Sequence, residues 1–213
     1  VANQLVDNGI KANQISIVPN YIQAPRACKA RECSRDMLVI ARHARNKNLE
    51  LAVYGYARFI SQNPWWDGRL IIVGRPGRCT VKLMRQIDEL TLKNKIVFLS
   101  NVSDEELDDL YERAFCLIST SLMEGFDYPL FEAQAKGLPT LASKIPVHEE
   151  FHEGVSLLFD VSDKGLSLAQ QLYALARDQV LWQQLSRLGT ENAQRYNSES
   201  HYKSLNAVLG SQM

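Results

Sequence analysis

The chain has 213 residues, of which 46% are hydrophobic and 23% charged, the composition of an ordinary globular protein with a substantial core. Lys plus Arg equal Asp plus Glu at 24 each, so no overall positive field attracts nucleic acid or an anionic membrane, and an anion site must be local. No apolar run approaches the ~20 residues needed to cross a bilayer, and no signal-peptide pattern begins the chain.

Strand-like and helix-like segments alternate along most of the chain. The predicted strands cover residues 15–18, 37–41, 69–73, 95–99, 115–119, 139–142 and 156–159. The predicted helices cover residues 49–62, 80–92, 104–114, 129–136, 146–151, 165–178, 180–196 and 198–209. This alternation is typical of α/β proteins and predicts a doubly wound parallel sheet over residues 15–160, followed by C-terminal helices over 161–213. We expect one domain over residues 1–213.

Four further features complete the outline of the chain. Ser103, followed three residues later by Glu106, predicts a capping box at the start of the helix at 104. Cys28 and Cys33 could form half of a metal site with His43, but no second ligand pair follows, and loop thiols are the simpler interpretation. The four cysteines have no recurrent spacing, which favours a reducing cytoplasm. The chain starts without Met in what looks like the middle of a helix, so we expect a fragment of a longer protein.

The segment from Glu124 to Glu132 places two carboxylates around a turn that joins a predicted buried strand to a helix. Pro129 suits the first turn of that helix. In open parallel sheets, ligands bind outside the carboxyl ends of the strands, and a helix N-terminus offers free N–H groups to an anion. The segment therefore predicts a site for a polyhydroxylated, phosphorylated ligand, with both carboxylates accepting hydrogen bonds from hydroxyl groups.

A basic loop follows the predicted strand at 37–41. Arg42, Arg45 and Lys47 crowd the end of this strand, where an arginine fork and a mobile lysine could hold a diphosphate without a metal. The alternative is a solvated basic loop with no ligand. A second strand end, at Gly74 and Gly77, lacks the G-x-G-x-x-G spacing of a dinucleotide-binding turn.

Five segments in order resemble the nucleotide-sugar-binding half of a family 4 retaining glycosyltransferase of the GT-B fold. They are Arg42 with Lys47, LIIVG, IVFLSNVSDEELDDLY, STSLMEGFDYPLFEAQAKGLPTLAS and IPVHEE. Within that family the chain is similar to bacterial O-antigen mannosyltransferases. The resemblance implies a Rossmann-like C-terminal domain, with the acceptor-binding N-terminal domain outside this chain.

The resemblance also implies roles for individual residues. Arg42 and Lys47 would neutralise the diphosphate of the donor, Glu124 would be the catalytic residue that contacts the donor sugar, and Glu132 would bind the ribose. The turn and the base-binding border would add the remaining donor-binding residues: Gly125, Phe126, Asp127, Tyr128, Val102 and Leu107. No cofactor or metal is implied beyond the substrate, a GDP or UDP sugar.

Two positions, Asp127 and Tyr128, depart from the family pattern, and a third, His148, has no assigned role. Asp127 stands where the family usually has Gly, and Tyr128 where it has an aliphatic residue; the carboxylate of Asp127 could narrow the choice of donor or point away from it. His148 is interpreted as a surface residue at the start of a helix rather than a catalytic group.

The expected function is transfer of a sugar, with mannose favoured, to a saccharide or lipid-linked acceptor, and the chain by itself is expected to be inactive. The full-length protein is expected in the cytoplasm, with peripheral contact to the inner face of the membrane. The alternatives are a non-catalytic nucleotide-sugar-binding module and a GT-B epimerase that acts on a nucleotide sugar.

Overall fold

A computed structural model describes residues 2–23 and 34–210 of the chain. Within these residues, six strands form one sheet: β1 Met37–Ile40, β2 Leu70–Val73, β3 Ile96–Leu99, β4 Cys116–Ser119, β5 Thr140–Ser143 and β6 Leu157–Phe159. The order is β3-β2-β1-β4-β5-β6, and every neighbouring pair is parallel. The predicted α/β fold with a doubly wound parallel sheet is confirmed.

Helices connect the strands and continue after the last one. In the described part of the chain the α-helices are α1 Ala2–Asp7, α2 Leu49–Gln62, α3 Thr80–Glu89, α4 Asp104–Arg113, α5 Tyr128–Ala135, α6 Pro146–His152, α7 Leu166–Arg177, α8 Gln179–Gln194 and α9 Ser198–Gly210. Short 3-10 helices lie at Ala12–Gln14 and Arg45–Lys47. The ends of these α-helices and strands differ from the predicted ones by at most three residues, the usual uncertainty of element ends.

The strand predicted over residues 15–18 is wrong, because this segment has no regular secondary structure. The segment that follows lies against the C-terminal helices. Ile22 N–H donates to the Tyr196 carbonyl at 2.8 Å, and a ring nitrogen of His201 lies 2.7 Å from the Pro19 carbonyl oxygen. A run of four residues is too short for its apolar pattern to separate a strand from an extended loop. Cys28 and Cys33 lie outside the described residues.

Apolar side chains cover both faces of the sheet. Val39, Ile72 and Ile118 point to the face covered by α2, α3 and α7, whereas Leu38 and Leu117 point to the face covered by α4 and α5. Alternate residues of a strand lie on opposite faces, so a strand buried on both faces is mostly apolar. This arrangement explains why the central strands are rich in apolar residues, while the buried polar residues Ser119, Thr140 and Ser143 lie at strand ends.

The start of α4 is fixed by the predicted capping box. Ser103 Oγ accepts from Glu106 N–H at 3.2 Å, and Glu106 Oε2 accepts from Ser103 N–H at 2.7 Å. The two bonds satisfy N–H groups that the helix itself leaves free. They set the end of the β3–α4 loop and therefore the position of α4 beside the sheet.

Gly74 is required by close packing of the loops that follow β1 and β2. A Cβ atom at this position would lie 1.9 Å from the Ala41 carbonyl oxygen, so no other residue fits without moving the backbone. The backbone at Gly74 therefore packs directly beside the β1 loop.

In the described residues no helix has both the length and the apolar character to span a bilayer.

Candidate functional site

The candidate site lies where the chain leaves β1 and β4, the two central neighbours of the sheet. The connection from β1 runs toward β2 on one side, and the connection from β4 runs toward β5 on the other, so the two loops diverge and leave a crevice. Thr120 Oγ1 donates to the Lys47 carbonyl at 2.9 Å, and Leu122 N–H donates to the Asn46 carbonyl at 2.7 Å. These bonds fix the backbones of the two loops relative to each other.

Lys47 and Glu124 meet across this crevice. Lys47 Nζ forms an ion pair with Glu124 Oε1, and the two side chains are 18% and 13% exposed. Ser121 Oγ donates to the same carboxylate oxygen at 2.6 Å. Both contacts use Oε1, so neither occupies Oε2. The structure therefore brings together two of the predicted residues and adds Ser121, which the sequence analysis missed.

A small cavity opens beside this ion pair. It has a volume of about 360 Å³ and is lined by Asn20, Lys47, Glu124, Gly125, Phe126, Asp127, Tyr128 and Pro129. The turn and the first residues of α5 form much of its wall. Backbone N–H groups in the first turn of a helix lack helical partners and carry the positive end of the helix dipole, so this wall suits an anion. The predicted turn residues thus share one cavity with Lys47 and Glu124.

The carboxylate of Asp127 points into the protein. Its backbone is left-handed, with φ 63°, and its side chain is 2% exposed. Ser119 Oγ donates to Oδ2 at 2.5 Å, and His148 Nε2 lies 3.0 Å from the same oxygen. Burial, the largest influence, opposes ionisation, but the hydrogen bonds from His148 and Ser119 outweigh it and lower the pKa of Asp127. Asp127 therefore lines the cavity, but its carboxylate is directed away from the cavity.

His148 is fully buried, so its interpretation as a surface residue is wrong. Its Nδ1 lies 2.8 Å from the Ser143 carbonyl oxygen, which can only accept, so Nδ1 carries a hydrogen. Its Nε2 lies 3.0 Å from Asp127 Oδ2, so the ring bridges the Ser143 carbonyl and the Asp127 carboxylate. We refer to Asp127 and His148 as the buried couple.

A second, larger cavity lies next to the first. It has a volume of about 590 Å³ and is lined by Tyr21, Ile22, Gln23, Asp104, Leu107, Asp108, Tyr111, Tyr128, Glu132, Ala135 and Lys136. Tyr128 lines both cavities. The two cavities thus adjoin at the start of α5, with Glu124 lining the smaller one and Glu132 the larger one.

Glu132 is oriented by Tyr111, a residue that the sequence analysis did not single out. Tyr111 Oη donates to Glu132 Oε2 at 2.6 Å. Burial, followed by the negative charge of Glu132, raises the pKa of Tyr111 well above its ordinary value, so the hydroxyl keeps its proton and remains a donor. The carboxylate of Glu132 is therefore held at the wall of the larger cavity by a fixed donor.

Residues 24–193 match the family described as "Glycosyl transferases group 1". The chain belongs to this family.

Curated relatives of this glycosyltransferase domain include two mannosyltransferases. The O-antigen chain mannosyltransferase RfbU of Salmonella typhimurium is 31% identical over 146 residues, which cover 68% of this chain and 38% of the relative. The serotype-specific mannosyltransferase WbdA of Escherichia coli is 40% identical over 90 residues, which cover 40% of this chain and 11% of the relative. The resemblance to O-antigen mannosyltransferases is confirmed, and the chain spans less than half the length of these relatives.

Solved structures show the same GT-B architecture. Anabaena Alr3699/HepE, in complex with UDP and glucose, superposes with a TM-score of 0.85 at 17% identity, over 99% of this chain and 60% of that chain. The apo form of the lipopolysaccharide outer core galactosyltransferase WaaB superposes with a TM-score of 0.76 at 18% identity, over 100% of this chain and 60% of that chain. The glycosyltransferase domain therefore has the Rossmann-like fold expected from the resemblance.

The remaining predicted residues are less closely grouped. Arg42 is exposed on the β1 loop and lines neither cavity, and Val102 packs against the apolar cluster under α4 without lining a cavity. Phe126 contributes little side-chain surface to the site, because its ring stacks on Phe131 with the centroids 4.1 Å apart. Leu107 does line the larger cavity. In the described residues, no group of three His, Cys, Asp or Glu side chains is arranged to hold a metal ion.

Proposed function

We propose that this glycosyltransferase domain binds the donor of a retaining sugar transfer from a nucleoside diphosphate sugar. The observation that carries the proposal is the meeting of Lys47 and Glu124 at the divergence of the β1 and β4 loops. A cation for phosphate and a carboxylate for hydroxyl groups lie there beside the N-terminus of α5.

The two adjoining cavities support an extended donor. In this arrangement the sugar and diphosphate occupy the smaller cavity, with Lys47 and the exposed Arg42 on the phosphates and Glu124 on the sugar. The nucleoside occupies the larger cavity, with Glu132 on the ribose and Leu107 beside the base. Val102 supports the border of the base site from the loop before α4.

Positive charge and backbone amides would stabilise the leaving diphosphate in this proposal. Lys47 and Arg42 supply the charge, and the turn at Gly125 with the start of α5 supplies N–H groups held in place before the reaction. We propose no metal and no cofactor. Glu124 is the proposed catalytic residue, since its carboxylate would contact the sugar whose bond breaks.

We propose mannose as the sugar and GDP-mannose as the donor, because RfbU and WbdA are mannosyltransferases. UDP is the competing nucleotide, since HepE was solved with UDP. The proposed acceptor is a saccharide or a lipid-linked saccharide, bound by an N-terminal domain outside this chain. We place the full-length protein in the cytoplasm, in peripheral contact with the inner face of the membrane, and expect no turnover from this chain alone.

The alternative of a non-catalytic module depended on Asp127 and Tyr128 as departures from the family pattern. The carboxylate of Asp127 is buried against His148 and Ser119 and turned away from the cavity, so this departure does not point an extra carboxylate at the donor. No observation favours an epimerase either, and we therefore retain the transferase.

Titration calorimetry of this chain with GDP, GDP-mannose, UDP and UDP-glucose tests the proposal. We expect one nucleotide class to bind and the Arg42→Ala/Lys47→Ala double variant to bind it at least about tenfold more weakly, through loss of both phosphate contacts. The matched control is Lys82→Ala/Arg187→Ala, which removes one lysine and one arginine from exposed ion pairs elsewhere. No binding by the unmodified chain, or equal binding by the double variant, would contradict the proposal.

A further inference from the structure

The contact between Lys47 and Glu124 has a direct consequence for ligand binding, because the lysine is already occupied. Among the described residues that line the smaller cavity, Lys47 is the one lysine or arginine. Its ammonium group is bound to Glu124 in a largely buried position. A phosphate that enters this cavity must compete with Glu124 for the lysine.

The ion pair can open without moving the loops. The Lys47 carbonyl is held by Thr120, and the neighbouring Asn46 carbonyl is held by Leu122, so backbone contacts alone keep the loops together. Ser121 also continues to hold Glu124 when the lysine leaves. Only the Lys47 side chain needs to turn toward the phosphate.

The competition affects two kinds of ligand differently. A bare nucleoside diphosphate binds Lys47 and so separates it from Glu124. The Glu124 carboxylate then lies beside the negative charge of the phosphates, and this repulsion raises the free energy of the complex. A nucleoside diphosphate sugar also takes Lys47 but brings hydroxyl groups, which can donate to Glu124, including the oxygen Oε2 that neither Lys47 nor Ser121 uses. The carboxylate is then stabilised again.

We infer that Glu124 acts as an internal competitor for Lys47 and so makes the site discriminate the sugar-bearing donor from the bare nucleoside diphosphate. This inference rests on the proposed function of the same site. After transfer, loss of the sugar leaves Glu124 without its hydroxyl donors, and re-formation of the ion pair with Lys47 favours release of the nucleoside diphosphate.

Glu124→Gln tests the inference, because glutamine keeps the shape and a hydrogen-bond acceptor but removes the charge. Calorimetry with GDP and GDP-mannose, or with the UDP pair if that class binds, is compared for the unmodified chain and the variant. We expect the variant to bind the bare diphosphate about threefold to tenfold more tightly, and the sugar-bearing donor no more tightly. The affinity ratio between the two ligands should shift toward the bare diphosphate.

The matched control is Glu50→Gln, which releases Lys82 from an exposed ion pair and should leave both affinities unchanged. Thermal unfolding checks that both variants fold. If Glu124→Gln binds the bare diphosphate no more tightly, or keeps the affinity ratio of the unmodified chain, the inference is overturned while the proposed function stands. If neither the unmodified chain nor the variant binds any nucleotide, both are overturned.

Discussion

Two carboxylates, Glu124 and Asp127, lie close together after β4, and each pairs with a side chain from another part of the chain, Lys47 after β1 and His148 on α6. Lys47 and Glu124 are 18% and 13% exposed and border a cavity, and one oxygen of the carboxylate is used by neither Lys47 nor Ser121. His148 and Asp127 are 0% and 2% exposed, and their remaining hydrogen-bond partners are the Ser143 carbonyl and the Ser119 hydroxyl. The first pair is open to a ligand, whereas the buried couple is closed.

This difference indicates that the two pairs have different roles, one in ligand binding and the other in holding the turn in place. A pair that must exchange partners with a ligand needs solvent access and a modest interaction energy. A pair that only holds a turn in place can be fully desolvated, which makes loss of one member costly. Asp127 adopts a left-handed backbone that glycine would tolerate more easily, so its hydrogen bonds to His148 and Ser119 stabilise the shape of the cavity wall.

The largest expected effect comes from breaking the buried couple. His148→Leu leaves the buried Asp127 carboxylate without its contact to the His148 ring, and we expect the free energy of unfolding to fall by about 3 kcal/mol. Urea unfolding measures the change. The double variant Asp127→Gly/His148→Leu should recover most of the loss, because it removes the stranded charge and suits the left-handed backbone. A loss below about 1 kcal/mol in His148→Leu would contradict the view that the buried couple is fully desolvated and held only by protein groups.

A pH effect of about 2 kcal/mol is expected from His152, which lies beside the buried couple. Burial, followed by the charge of His148, lowers the pKa of His152 from 6.5 to about 3. Between these values the unfolded chain binds a proton that the folded chain does not, so this contribution to stability is complete above pH 6.5 and falls as the pH drops toward 3. From pH 6.5 to 5 the loss is about 2 kcal/mol.

Urea unfolding at pH 7, 6 and 5 measures this pH dependence. His152→Gln should flatten it, whereas His201→Gln, on α9, should leave it unchanged. A slope in the His152→Gln variant equal to that of the unmodified chain would assign the pH dependence to other groups.

The pair of Lys47 and Glu124 is tested in the same way, by the change in the free energy of unfolding. Lys47→Met should lower the free energy of unfolding by less than about 1 kcal/mol, because Glu124 keeps its bond from Ser121 and faces a cavity that admits water. The same change should weaken nucleoside diphosphate binding about tenfold. Lys82→Met is the matched control for both measurements. A stability loss as large as that of His148→Leu would remove the distinction between the two pairs.

The last expected effect is a modest loss of stability at the larger cavity. Tyr111→Phe removes the hydroxyl that donates to Glu132, and we expect a stability loss of about 1 kcal/mol, the net contribution of one hydrogen bond. Tyr54→Phe, an exposed tyrosine on α2, should have no measurable effect. Chemical unfolding of the two variants side by side provides the comparison. Equal stability of Tyr111→Phe and the unmodified chain would mean that Glu132 finds another donor.

The local elements of the fold could be predicted from the sequence because their signals lie within a few residues. Short runs rich in apolar residues marked β1 to β6, and Ser103 with Glu106 marked the start of α4. The strand predicted at 15–18 failed because its signal was short, and the segment that follows, at Pro19 and Ile22, instead contacts the C-terminal part of the chain, far away in sequence. Tyr111 left no signal for its contact with Glu132, since an amphipathic helix such as α4 is expected to carry buried aromatic residues in any case.

By itself, the sequence determined the order of strands and helices, the family, and the placement of Lys47 and Glu124 at strand ends. These features depend on local patterning and on motifs in a fixed order. The tertiary structure decided how the charges in the site are partnered. It bound Lys47 to Glu124, turned Asp127 inward, and placed the buried ring of His148 between Asp127 and Ser143. Burial and hydrogen-bond direction depend on which distant segments pack together, and those quantities decide whether a carboxylate is open to a ligand or closed within the protein.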